Sequence, residues 1–168
     1  MNYLVLDSGT SSTKAFLFNR NGKIIYSNKI KHQLNRPRKF YVECDANIIL
    51  AACKNLFYDM LNFSGNTPII NAGLAVQRST FLFWGKKSCK PISPALSWQD
   101  SRAQSIINIF SQHADTLWYK TGTPLSAHFG GPKFFHMVDH NKELKDAIDS
   151  NEVYFGPLSA FLSQAITG

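Results

Sequence analysis

No C-x-x-C pair occurs in this chain, and its cysteines number only three: Cys44, Cys53 and Cys89. An odd count without metal-ligand spacing argues against a disulfide framework or a zinc site, and for reduced thiols in a cytoplasmic protein. Apolar runs fall far short of the roughly 20 residues that a membrane helix needs. No charged n-region, apolar h-region and cleavage site opens the sequence, since Met1 leads straight into a strand-like segment. Neither G-x-x-x-x-G-K-[ST] nor G-x-G-x-x-G is present, which excludes a strand-to-helix phosphate loop of either kind. Acidic residues are missing from one stretch. Residues 20–39 carry seven basic side chains (Arg20, Lys23, Lys29, Lys31, Arg36, Arg38, Lys39) and no carboxylate, while the remainder balances at 11 against 11. The net charge of +7 is therefore one local stripe. With no aromatic-rich or helix-turn-helix signature beside it, a solvated hairpin and loop explains it better than a nucleic-acid surface. Neither nucleic acid nor membrane is expected as a partner.

What is present suits a globular protein. The 168 residues are 44% hydrophobic, enough for one domain with a sizeable core spanning residues 1–168. Residues 2–7 and 14–19 read as strands, Asn21-Gly22 as a hairpin turn, and Lys23 to Ile30 as a third antiparallel strand. Asn35 to Asp45 reads as irregular around Arg36-Pro37. Asp45 then resembles a helix N-cap, with Ile48, Ile49, Ala52, Leu56, Phe57, Met60 and Leu61 on one helical face and Ser64-Gly65-Asn66 as the stop. Ile69 to Val76 reads as a buried strand and Thr80 to Trp84 as another, followed by a turn at Gly85-Lys86-Lys87. From Gln99 onward the pattern is mainly helical, broken at Gly122, Pro124, Gly130-Gly131 and Gly156-Pro157. Three hairpin-linked strands before the first helix rule out a βαβαβα order and predict a mixed α/β sheet.

The chemistry concentrates in the turn between the first two strands, Asp7-Ser8-Gly9-Thr10-Ser11-Ser12-Thr13-Lys14. Small hydroxyl residues let an anion approach backbone N–H groups. Asp7 ends the strand, where a carboxylate can hold a hydrated Mg²⁺ beside phosphates. The same residues also make ordinary hairpin turns, so spacing alone leaves both readings open. His136 and His140 stand i, i+4 without a third ligand for a metal.

Taken in order, further segments resemble the FGGY carbohydrate kinases, a family that includes glycerol kinase and xylulokinase. Leu6 to Lys14 is similar to the family's first phosphate loop. Val42-Glu43-Cys44-Asp45 is similar to the segment before its first long helix, and Ala75-Val76-Gln77-Arg78-Ser79 to its sugar-contact strand end. Pro94 to Arg102 resembles its A-(I/L)-x-W-x-D-x-R segment. Lys120-Thr121-Gly122, Gly130-Gly131-Pro132-Lys133 and Gly156 to Gly168 resemble its later landmarks. The resemblance covers essentially the whole chain, but only the first part of the first of two domains. It implies a ribonuclease-H-like fold of the actin and hexokinase type, with an N-terminal β-hairpin phosphate loop and a mainly helical C-terminal half. The second kinase domain would be absent.

The implied reaction is transfer of the ATP γ-phosphate, with Mg²⁺, to a hydroxyl of a small sugar or polyol. Such catalysis is mostly positioning and charge neutralisation. Asp7 would hold the metal through water, Gly9, Thr10, Ser11 and Ser12 would line the phosphate groove, and Lys14 would either face the transferring phosphate or remain an exposed strand lysine. Gln77, Arg78, Trp98, Asp100 and His128 would contact the sugar, with Gln99 a further polar candidate and Arg102 a local salt bridge. No catalytic residue is assigned within the chain, because the family's general-base Asp lies beyond Gly168. Two departures bear on the acceptor. Ser79 replaces the Glu, and His128 the Tyr, of glycerol-using members, which argues against glycerol. The Met-His of xylulokinases after Gln is also missing, which argues against D-xylulose. The expectation is a kinase fragment inactive by itself. The alternatives are a non-catalytic sugar- or phosphate-binding module and, more remotely, a nucleic-acid or acidic-partner binder acting through residues 20–39. Homo-oligomer formation stays open.

Overall fold

In the computed structural model, which describes residues 1–168, the chain divides into two compact units. The first comprises Met1–Leu34, Asp45–Gln77 and Leu158–Gly168, and the second Asn35–Cys44 and Arg78–Pro157.

The first unit is built on a four-stranded sheet in the order β3-β2-β1-β5. Strands β1 (Asn2–Ser8), β2 (Ser12–Asn19) and β3 (Ile24–Lys31) follow one another as antiparallel hairpins, and β5 (Ile69–Val76) returns parallel to β1. Period-two patterning decides which face is covered. Leu4, Leu6, Ala15 and Leu17 point into the core beneath helix α1 (Ala46–Ser64), whereas Tyr3, Val5, Asp7, Lys14 and Phe16 share the half-buried opposite face. Asp45 caps α1 as expected, its carboxylate accepting from the backbone N–H groups of Asn47 and Ile48, and Gly65 ends it with a φ of 53°. The inner face of α1 differs from the sequence expectation. Ile49, Ala52, Cys53, Leu56 and Met60 are buried, but Ile48 and Leu61 lie at the margin of the stripe and are exposed. Helix α6 (Leu158–Thr167) completes this core with Leu158, Phe161 and Leu162.

A second correction concerns β5. The apolar run was expected to be buried, yet only β1 pairs with it, most of its residues are exposed, and Ile70 is 47% accessible. A continuous apolar run needs cover on both faces, and a strand at the sheet edge lacks it here.

In the second unit, β4 (Glu43–Cys44), β7 (Ala95–Leu96), β6 (Phe81–Gly85) and β8 (Val153–Pro157) form an antiparallel sheet in the order β4-β7-β6-β8. The sequence reading missed β4, β7 and β8. Gly156-Pro157 does not break a helix but ends β8 opposite Leu82 and Phe81. Helices α2 (Gln104–Phe110), α3 (Ala114–Thr121), α4 (Gly130–Asp139) and α5 (Lys142–Asp149) lie between β7 and β8 in the chain. Phe83, Leu96, Met137 and Leu144 form a core against which Phe134, Ile148 and Phe155 pack.

Gly130, at the start of α4, lets this helix lie against β6. A Cβ there would meet the Phe81 ring at 2.7–3.0 Å. Gly130→Ala should therefore cost about 2 kcal/mol as an overpacked site, read as a lowered urea midpoint at unchanged slope. Gly131→Ala, where a Cβ meets nothing within 4 Å, is the matched control.

Candidate functional site

The hairpin turn of the first unit takes its shape from its own backbone. The Gly9 N–H donates to the Ser12 carbonyl at 3.0 Å, and the His32 N–H to the Ser11 carbonyl at 3.0 Å, closing Thr10-Ser11 as the tip. Gly9 suits this corner because a Cβ would stand 3.3 Å from the Ser12 oxygen. Its N–H is committed to the turn, so the glycine serves close approach rather than donating outward. Beneath the tip, Ser8 is buried and its Oγ has no hydrogen-bond partner. Thr13, also buried, lies 3.4 Å from His32 Nε2, whose pKa burial lowers. Burial likewise pushes the Cys53 thiol up to about 11, leaving an unreactive group under the turn.

Asp7 and Lys14 are cross-strand partners on the half-buried face. Their charged groups stand 3.8 Å apart with 43% and 45% of each side chain exposed, an open pair that solvent screens and that stabilises little. A half-exposed carboxylate beside a lysine, at the foot of a turn of Gly, Thr and Ser, fits a hydrated divalent cation and phosphate oxygens. Mg²⁺ bound with phosphates needs only one or two protein carboxylates, so the absence of a cluster of three His, Cys, Asp or Glu side chains does not conflict with this fit.

The residues expected to touch sugar fall in two places. Gln77 belongs to the first unit, where its N–H donates to the Ser8 carbonyl at 2.9 Å and continues the β1–β5 pairing. Arg78, Trp98, Asp100 and His128 belong to the second unit. Arg78 and His128 are exposed, and Trp98 is 45% accessible. His128 Nδ1 lies 2.8 Å from the Trp98 carbonyl. A carbonyl only accepts, so Nδ1 carries the proton and Nε2 of the neutral ring is an acceptor. Gln99 accepts from Arg36 Nη2 at 2.6 Å through its side-chain oxygen.

Asp100 is placed otherwise than a sugar contact would be. It has no exposed surface, and both oxygens are engaged. Oδ2 accepts from the Val42 N–H at 2.6 Å and Arg102 Nη2 at 2.8 Å, and Oδ1 from the Arg102 N–H at 3.1 Å. Arg102 continues to Glu43 at 2.7 Å and lies over the Tyr41 ring, with 3.8 Å to its centroid. Burial lowers the Arg102 pKa, but hydrogen bonds to Asp100 and Glu43 outweigh it and the net direction is up.

Lys133 was missed as an individual residue. It is wholly buried in α4, and its ammonium donates to the carbonyls of Ser79 at 2.9 Å and Ser97 at 2.7 Å. Burial lowers its pKa to about 8, against an opposing pull from Asp100. A sequence signal exists, since Phe129, Lys133 and Met137 recur at i, i+4 and put the lysine on the inward stripe of an apolar helix.

The basic stripe lies on exposed segments, the β2–β3 hairpin and the loop after it. No helix is long and apolar enough to cross a membrane.

A tight β-hairpin turn on a mixed sheet, followed by a long capped helix and a parallel return strand, defines an actin-like ATPase fold. The N-terminal domain of the FGGY family of carbohydrate kinases matches residues 2–168, and the chain belongs to that family. It is 31% identical over 168 residues to glycerol kinase of Beijerinckia indica, covering 98% of this chain and 33% of that protein. Glycerol kinase of Chloroflexus aggregans is 29% identical, with 97% of this chain and 34% of that protein covered. Among solved structures, Plasmodium falciparum glycerol kinase with ADP superposes at a TM-score of 0.90 and 26% identity, over 96% of this chain and 33% of its own. Gluconate kinase from Lactobacillus acidophilus shares the fold at a TM-score of 0.81 and 20% identity, over 96% and 32%. The chain thus spans about a third of the length of the relatives it matches.

Proposed function

We propose that this chain supplies the phosphate-gripping hairpin and part of the acceptor-binding surface of a cytoplasmic, ATP-dependent carbohydrate kinase. The supporting observation is the open Asp7–Lys14 pair at the foot of a small-residue turn, in a chain of the FGGY family. ATP with Mg²⁺ supplies the phosphoryl group and the metal's charge. Asp7 holds the hydrated metal. Gly9 admits the phosphates to the turn, and the hydroxyls of Thr10, Ser11 and Ser12 line their path. Lys14 neutralises charge there. Trp98 offers an apolar floor to a sugar ring or polyol, while Arg78 and His128 Nε2 offer polar contacts. Asp100 acts behind Trp98, holding its segment. Ser79 brings no carboxylate to the acceptor, so a sugar or polyol other than glycerol is favoured. The general base comes from outside these 168 residues, and the chain alone does not turn over. A relative solved with ADP supports nucleotide as the donor side.

Titration of this chain with MgADP, followed by calorimetry, tests the donor half. Asp7→Ala should weaken binding by about tenfold in the presence of Mg²⁺ and much less with EDTA. Equal affinities with and without the carboxylate would remove Asp7 from the role. For the whole reaction, a longer chain carrying the remaining two thirds should phosphorylate a sugar or polyol from ATP. Turnover by the 168 residues alone would contradict the proposal.

A further inference from the structure

We propose that Lys133 is a positioning residue that fixes the backbones beside Arg78 and Trp98 as one acceptor-binding surface. The inference rests on the reading of those two side chains as sugar contacts. Its geometric basis is independent of that reading. Lys133 donates to the carbonyl of Ser79, which directly follows Arg78, and to that of Ser97, which directly precedes Trp98.

Both anchor points need holding. Ser79 has a φ of 57°, a left-handed conformation that a serine adopts only when its surroundings enforce it. The Ser97 carbonyl comes just before a half-exposed tryptophan in a segment with little regular structure. His128 adds a third tether one residue on, from its Nδ1 to the Trp98 carbonyl at 2.8 Å. Thus two consecutive carbonyls, those of Ser97 and Trp98, are gripped from one short stretch, residues 128–133.

A hydrocarbon side chain at position 133 would cost no desolvation of charge, so the buried ammonium is an expensive choice. Its two carbonyl bonds account for it. A buried cation between neutral acceptors also makes stronger hydrogen bonds than a neutral donor would. The charged groups around it are Asp100 and Arg102, with the Cys44 thiol facing it from β4. None of these replaces the two carbonyl contacts.

Amide hydrogen exchange on this chain, with Lys133→Met and Lys133→Arg beside the native form, tests the inference without any ligand. In Lys133→Met, exchange around residues 78–81 and 97–101 should accelerate by about tenfold, while the β1–β2 hairpin and the thermal midpoint change little. Lys133→Arg, keeping the charge with displaced donors, should restore part of the protection. If Lys133→Met does not fold, Lys133→Arg is judged by the same two segments. Unchanged exchange in both segments overturns the proposal. Calorimetry against a panel of sugars and polyols then tests the reading beneath it. A ligand bound by the native chain should bind Lys133→Met about tenfold more weakly, and equal affinity also overturns positioning. If the native chain binds nothing in the panel while exchange accelerates as stated, the sugar-contact reading fails and the backbone role of Lys133 stands.

Discussion

Asp100→Ala should cost about 3–5 kcal/mol, among the largest penalties available to any single substitution in this chain. The carboxylate is fully buried, so its removal leaves Arg102, whose side chain is 9% exposed, with only Glu43. It also orphans the Val42 N–H, which lies 2.6 Å from Oδ2. Lys133, equally buried, loses the anion that most favours its charged form. One deletion thus takes a partner from two buried donor groups, Arg102 and the Val42 N–H, and breaking a buried pair costs more than the pair is worth intact. Asp100→Asn keeps the shape and one acceptor, and should cost about half as much. Urea unfolding of both variants checks the order. A loss under 1 kcal/mol for the alanine variant would show that water reaches Arg102 and relieves it.

Stability should rise, not fall, as the pH is raised from about 8 to 10. Lys133 titrates near 8 in the folded chain and at its ordinary 10.5 when unfolded. Between those values the unfolded chain holds the proton and the folded chain does not, so proton release accompanies folding and ΔG of unfolding increases with pH. Below the folded pKa the burial penalty on the ammonium is present in full. The gap corresponds to a gain on the order of 3 kcal/mol by pH 10.5. Other groups titrate in that range, so the quantity to measure is the difference between native and Lys133→Met stability at each pH. The native chain should gain on Lys133→Met as the pH rises. A flat difference from pH 7 to 10 would mean the lysine is not desolvated. The neutral amine keeps two N–H donors, enough for its two carbonyls, so the alkaline form remains folded and tethered.

Local chemistry explains which parts of this architecture can be read without coordinates. The first hairpins follow from alternation and from Asn21-Gly22, and α1 from Asp45 and its apolar spacing, because those signals act within a few residues. Ile48 and Leu61 show the limit of that reading, since a helical stripe has margins and only the neighbouring sheet fixes where they fall. Strands β4 and β7, each two residues long, exist through pairing with distant partners and carry no period of their own. Around the site, the hairpin residues were legible because glycine and hydroxyls are needed at a tight turn. Asp100 was legible as important but not in its placement, since a carboxylate that binds a ligand and one that binds Arg102 have the same letter. Lys133 escaped because a lysine is assumed to be exposed.

The free edge of β5 has a practical meaning for work with this polypeptide. Its outer backbone N–H and C=O groups form a ready template for another strand, on a sequence, Ile69 to Val76, that contains neither charge nor proline to repel one. Eight residues of one edge strand thus carry an association hazard, and their C-terminal end pairs with Asp7 and Ser8 at the foot of the hairpin turn. A lysine introduced along that edge is the natural safeguard for any preparation of the isolated chain.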